Sequence, residues 1–330
     1  MSFKLEPRGF FRRIPLQPHQ LTGRITPAAD IIVLCHLGVP HVAADEWSLT
    51  VGGMVAEPKY FNLDALRRYP RVEVESVHEC AGSPLQPETP TRRVSNVLWR
   101  GIRLGDLLDD CKIDADAAFV WAQGADYGEF QGVRVEAYVK DLPIGRIQDD
   151  VLIATEMNGA PLSRENGFPA RLVIPGFYGT NSVKWLTGLT LAATRANSPF
   201  TTTWYNDLVR GPDGTVTGTV PVWAIAPHSL IVSPAPGEKL TAGLETDVWG
   251  WAWSDAGVAS VAVTADGGAS WMDANVEDRQ GRGWQRFSAV YAPPSPGKYL
   301  LASRAMSLGG TSQPRDGARN AWHAVEVEVL

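Results

Sequence analysis

Residues 248–263 read VWGWAWSDAGVASVAV, and their pattern decides the architecture of the C-terminal part of the chain. The runs 248–253 and 259–263 alternate in the way of half-buried strands, because successive side chains of a strand point to opposite faces. Working outward, Asp266-Gly267 offers a hairpin-type turn and 299–306 continue the strand pattern. At the C-terminus 325–330, VEVEVL, keep a strict period of two.

Strand runs with turns about every ten residues predict an immunoglobulin-like sandwich of roughly 100 residues. Upstream of it, 197–239 hold Pro199, Pro212, Pro221, Pro227, Pro234 and Pro236 and no convincing helix. Proline removes a backbone donor and clashes inside helices, so the domain crossing is expected here. The expected division is 1–205 and 206–330.

The first of these domains mixes elements. Residues 1–30 are rich in Pro and Arg and read as an irregular arm over the surface. The segment 47–54 (WSLTVGGM) ends as a strand ends, at a glycine turn, and 72–77 form another strand. Asn62 is a plausible helix N-cap ahead of Leu63 and Leu66. Residues 104–111 (LGDLLDDC) place Leu104, Leu107 and Leu108 on one helical face. Short apolar runs follow at 119–121, 151–154 and 171–174. Such a mixture without regular alternation predicts an α+β domain.

Composition narrows the function. The 330 residues suffice for two cores, and 44% hydrophobic with 20% charged residues is ordinary for a soluble globular protein. Thirty Lys+Arg against thirty-six Asp+Glu give a net charge of -6 with no basic block. Nucleic acid and anionic membrane are therefore poor partners, whereas a basic redox protein such as a cytochrome suits an acidic surface. No apolar run reaches the roughly 18–20 residues of a membrane span. The N-terminus lacks a secretory signal, so the default compartment is the cytoplasm, and a periplasmic protein trimmed of its leader would read the same. Cys35, Cys80 and Cys111 are an odd number without regular spacing, which suits free thiols rather than a disulfide framework.

Phosphate-binding loops, dinucleotide fingerprints, His-Glu-x-x-His and Cys-x-x-Cys motifs are absent from the sequence. What remains is Val77-His78-Glu79-Cys80-Ala81-Gly82-Ser83-Pro84. Most cysteines are buried and inert. A cysteine that ends a strand before a small, glycine-containing turn instead presents its sulfur at a rim, where a soft thiolate suits a soft metal.

The segment 154–185, ATEMNGAPLSRENGFPARLVIPGFYGTNSVKW, makes the setting specific. Met-Asn-Gly-x-Pro-Leu, Gly-x-Pro-x-Arg, Val-x-Pro-Gly and Val-Lys-Trp follow one another there. With Cys80-Ala81-Gly82, Trp99-x-Gly101-x-x-Leu104 and the run from Gly250 to Trp271, the chain resembles the sulfite oxidase family of molybdopterin-dependent oxidoreductases. The resemblance runs from Cys35 almost to the C-terminus. It implies a molybdopterin-binding α+β domain followed by an immunoglobulin-like domain of the dimerising type, hence a homodimer. It also implies oxygen-atom transfer at an oxo-molybdenum centre on sulfite or a related small sulfur-containing or oxyanion substrate, with electrons exchanged with an external redox protein. Two alternatives stay open: a sulfoxide-type reductase, and a non-catalytic cofactor-binding or scaffold protein.

Carried over by position, Cys80 is the metal ligand, and His36 contacts the pterin. Arg171 and Lys184 hold the pterin and its phosphate, with Ser182 beside them. A phosphate near -2 calls for such cations, Arg as a fork and Lys as a point charge. Tyr138 aligns with the active-site tyrosine and Arg315 with a substrate arginine. The substrate arginines otherwise depart from the family: Leu34-Cys35 replace Arg-Asn, Ser83-Pro84-Leu85 replace Asn-Arg-Arg, and Leu98 stands where an arginine precedes the tryptophan. Asn166 replaces a histidine. Each lost arginine removes a charge-assisted contact worth roughly 1.5–3 kcal/mol, so a less charged sulfur compound is favoured over sulfite. Arg92 and Arg93 are the nearest cations able to compensate.

Overall fold

The computed structural model describes residues 3–6, 15–83, 92–316 and 319–330. Parts of the N-terminal arm, and Pro84 and Leu85, lie outside the described residues. The chain forms two compact units. The first contains 3–6, Ile32–Val74 and Leu98–Trp223, and the second contains Pro15–Ile31, 75–83, 92–97 and the chain from Ala224 onward.

In the first unit a five-stranded sheet runs in the order Val139–Pro143, Phe119–Gly124, Leu186–Ala192, Leu49–Gly53 and Lys59–Phe61. Its pairs are antiparallel except Leu186–Ala192 with Leu49–Gly53. Its apolar positions face a core that includes Trp47, Leu49, Val120, Leu142, Leu189 and Phe200. Leu152–Met157 belongs to another sheet, pairing with Arg171–Val173 and with the end of Val94–Arg103. The expected helices form, but they are short. Leu63–Leu66 is capped by Asn62, whose Oδ1 accepts the Ala65 N–H at 2.9 Å. Leu104–Asp109 buries Leu104, Leu107 and Leu108, the face expected from their spacing. Strands therefore dominate, and the α-helices of the expected mixture are four to six residues long among the described residues.

The second unit is built on eight strands in the order His228–Ser233, Thr246–Trp253, Gln285–Tyr291, Met272–Val276, Val258–Thr264, Gly297–Ser307, Val325–Val329 and Lys239–Leu240. Ile231, Val248, Val261, Phe287, Leu301 and Val327 share one core. Val325–Val329 alternates buried and exposed as its sequence predicts. Thr246–Trp253 does not: Val248 and Ala252 are buried on one face, and Trp251 and Trp253 on the other. The covering material comes from far upstream in the sequence. Trp251 Nε1 donates to the Leu21 carbonyl at 2.6 Å and stacks on Trp284 with centroids 4.9 Å apart. Leu21, Thr26 and Ile31 are themselves buried, so this part of the arm is interior to the unit instead of lying over its surface.

Candidate cofactor site

The first unit gathers five of the expected residues. Arg171 begins its strand and is 4% exposed; its Nη atoms donate to the Asn166 and Ser182 carbonyls, each at 3.0 Å. Its guanidinium lies 4.8 Å from the Trp99 ring centre. The Nε is buried with no hydrogen-bond partner among the described residues. Burial lowers its pKa to about 9, still charged at neutral pH.

Lys184 is half-buried and donates to the Leu34 carbonyl (2.8 Å), the Glu165 carbonyl (2.9 Å) and Cys35 Sγ (3.3 Å). Burial and the neighbouring Arg171 push its pKa down, while Cys35 and Asp126 oppose the shift. Neither cation forms an ion pair among the described residues. Gly167 lies between them with φ +107°, and a Cβ there would come within 3.1 Å of both Arg171 Cβ and Lys184 Cβ. Ser182 is buried, and its Oγ accepts the Ile174 N–H at 3.1 Å. Asn166, at the replaced histidine, now supports Arg171 through its backbone carbonyl.

His36 sits among aromatic rings, its centroid 5.5 Å from Tyr138, 4.9 Å from Phe130 and 5.5 Å from Phe200. Its Nε2 and the Tyr205 hydroxyl share a 2.5 Å hydrogen bond. Burial, with Lys184 and Lys140 adding repulsion, lowers its pKa to about 3, so the ring is neutral. Tyr138 is buried and donates its hydroxyl to the Thr180 carbonyl at 2.7 Å.

Two ionisable residues here carried no sequence signal. Asp126 is buried, and that burial raises its carboxyl to about 7 against the pull of Lys184. Lys140 is buried, donates to the Phe200 carbonyl at 2.8 Å, and is lowered by burial to about 7. A cavity of about 250 Å³ elsewhere in this unit is lined by Leu63, Leu66, Arg67, Ile102 and Phe168 among others. None of the expected site residues lines it.

The second unit holds Cys80 and Arg315. Cys80 follows the strand Arg71–Glu79, as its sequence position predicts. Its N–H donates to the Arg93 carbonyl at 2.9 Å, and its Sγ accepts the Gly82 N–H at 3.3 Å. Burial pushes the thiol pKa up, against the Gly82 N–H and the Arg93 charge. Arg319 Nε donates to the Ala81 carbonyl at 2.6 Å. Arg315 is exposed, its guanidinium 5.9 Å from the Trp322 ring centre. Glu79, His228 and Trp253, which spacing could not have associated with Cys80, form a buried network beside it.

Two family models match the chain: an oxidoreductase molybdopterin binding domain over residues 36–200, and a Mo-co oxidoreductase dimerisation domain over residues 220–329. Human mitochondrial sulfite oxidase is 30% identical over 94% of this chain and 63% of its own length. The NADH nitrate reductase 1 of Phaseolus vulgaris is 28% identical over 80% of this chain and 33% of its own. Among solved structures, the sulfane dehydrogenase SoxCD from Paracoccus pantotrophus superposes with a TM-score of 0.78 at 28% identity, covering 90% of this chain and 76% of that one. The chain spans about 63% of the length of the sulfite oxidase it matches. It belongs to the sulfite oxidase family of molybdopterin oxidoreductases, whose cofactor is the molybdenum cofactor. The residues present fit that group: Arg171 and Lys184 form no ion pair among the described residues, the Arg171 Nε has no hydrogen-bond partner among them, and Gly167 leaves a cradle between the two that a Cβ would narrow.

Proposed function

We propose that this chain is the catalytic part of a molybdenum-dependent oxidoreductase that acts on a small sulfur compound. The observation that carries this reading is the pair Arg171 and Lys184, largely withdrawn from solvent, hydrogen-bonded to backbone carbonyls and a thiol and forming no ion pair among the described residues. Such charges are costly to bury unless an anion completes them, and a pterin phosphate does so.

When bound, the cofactor supplies two-electron oxygen-atom transfer. Cys80 would hold the metal through its sulfur, with the Gly82 N–H and Arg93 favouring the thiolate against the effect of burial. Ser182 offers its hydroxyl proton beside Arg171. His36, being neutral, would contact the pterin without adding charge. Tyr138 orients substrate through its hydroxyl, and Arg315 draws an anionic substrate. Leu34, Pro84, Leu85 and Leu98 at arginine positions favour a substrate less charged than sulfite, and similarity to a sulfane dehydrogenase supports sulfur as the reacting element. Along the chain the domains are 1–205 and 206–330, with Pro15–Ile31, 75–83 and 92–97 clustering with the second; the second is immunoglobulin-like and forms a homodimer, the dimerisation being supported by the dimerisation-domain match. Electrons pass to an external redox protein such as a cytochrome.

Metal analysis, with steady-state assays of sulfite, other sulfur compounds and sulfoxides using artificial electron acceptors and donors, tests this. About one molybdenum per chain and oxidation of a sulfur compound are expected. Sulfoxide reduction alone would reverse the direction. No molybdenum after expression in a cofactor-competent host would leave a non-catalytic protein.

A further inference from the structure

We propose that Glu79 is a positioning residue for the Cys80 sulfur, clamped by His228 and Trp253 so that the thiolate meets its metal from one direction. The proposal rests on the assignment of Cys80 as the metal ligand. All the groups concerned lie in the second unit.

Glu79 closes the strand Arg71–Glu79, and its side chain is wholly buried. Oε1 accepts from His228 Nδ1 at 2.9 Å, and Oε2 accepts from Trp253 Nε1 at 2.9 Å. His228 and Trp253 are direct partners across two paired strands, with ring centroids 4.7 Å apart. One carboxylate is thus gripped by a cross-strand pair on a rigid sheet. At the next residue the Cys80 N–H is tied to Arg93, and the Gly82 N–H points at Sγ. With the backbone pinned on both sides, only the Cys80 side-chain torsion is left, and the Gly82 N–H and the Arg93 side chain bias it. The turn after Cys80 consists of Ala81, Gly82 and Ser83, which offer little bulk to fix a sulfur by packing.

A buried acid that merely satisfies itself would be the plainer account, but His228 argues against it. Its Nε2 has no hydrogen-bond partner among the described residues, although the side chain is fully buried. Leaving such a nitrogen unpartnered is unfavourable, and an apolar side chain in its place would avoid the penalty. What the imidazole contributes is its one bond to Glu79. Ligands of metals are commonly held in this way by partners one step removed from the metal.

The test uses Glu79→Gln and the gentler Trp253→Phe, which removes the indole N–H and its hydrogen bond and keeps one aromatic ring of the two. In cofactor-free protein the alkylation rate of each cysteine is followed by peptide mass spectrometry. The buried Cys35 and Cys111 report any general loosening. Cofactor-loaded protein is examined for its Mo(V) EPR g-values and molybdenum content. Cys80 should alkylate at least fivefold faster in both variants while Cys35 and Cys111 hold their wild-type rates, and the g-values should move. Acceleration of all three thiols together would reduce Glu79 to a fold-stabilising residue, and an unchanged Cys80 with unchanged g-values would overturn the proposal outright. Wild-type protein without molybdenum would remove the metal assignment, while the alkylation ratios would still decide whether the clamp exists.

Discussion

Arg171 and Lys184 in the first unit and Glu79 in the second are all charges withdrawn from water, yet their surroundings differ in kind. The two cations rest on backbone carbonyls and a thiol, and form no ion pair among the described residues. The anion is met on both oxygens by N–H donors of His228 and Trp253, beside the charge of Arg92. Burying charge is unfavourable by several kcal/mol unless partners complete it. A charge completed within the protein holds structure, and one left incomplete holds a place for a ligand. This distinction separates a binding cradle from a brace more clearly than residue type does.

The largest effect is expected at the residue proposed to hold the metal. Cys80→Ser should lower turnover by roughly a thousandfold or more, since the metal accounts for several kcal/mol of barrier lowering, and should abolish the native Mo(V) EPR signal. Retained activity with a native signal would place the metal elsewhere. Next, Arg171→Met should weaken cofactor retention by about ten- to a hundredfold, the equivalent of one charge-assisted contact. The same variant should melt no lower than wild type when both are cofactor-free, because an apolar side chain replaces an incomplete charge. A large fall in that melting temperature would make Arg171 a brace like Glu79.

Tyr138→Phe should reduce turnover by about tenfold while leaving molybdenum content unchanged, the loss of one hydrogen bond near substrate. Loss of metal in this variant would move Tyr138 into the cradle. The smallest effect concerns Asp126. Its carboxyl holds a proton more tightly folded (about 7) than unfolded (3.8), so its contribution to stability is full below pH 3.8 and lost as pH rises through 7. Asp126→Asn, compared by thermal melting at pH 5 and pH 8, should lose fewer degrees across that interval than wild type. Equal losses would mean that Lys184 already compensates the charge fully.

Much of this was legible from residue order. The Asn62 cap, the apolar face of Leu104, Leu107 and Leu108, and the alternation of Val325–Val329 follow from local backbone periodicity and appear as expected. The cysteine at a strand end and the grouping of Arg171, Ser182 and Lys184 also sat in the sequence, the latter because the strand Arg171–Val173 and the connection from it to Leu186 carry all three. The reading of 248–253 as a half-buried strand captured the strand but not its burial on both faces. Leu21, whose carbonyl takes the Trp251 indole, stands 230 residues away, and no periodicity joins them.

The sequence by itself determined the family, the cofactor and the place of Cys80 at the end of a strand, because those depend on short motifs and on the two- and 3.6-residue periods of strand and helix. Only the tertiary structure decided which buried charges are complete. Glu79 and His228 stand 149 residues apart, and Glu79 and Trp253 stand 174 apart. A hydrogen bond across such distances is created by the folding of the sheet, and leaves no trace in the residues between.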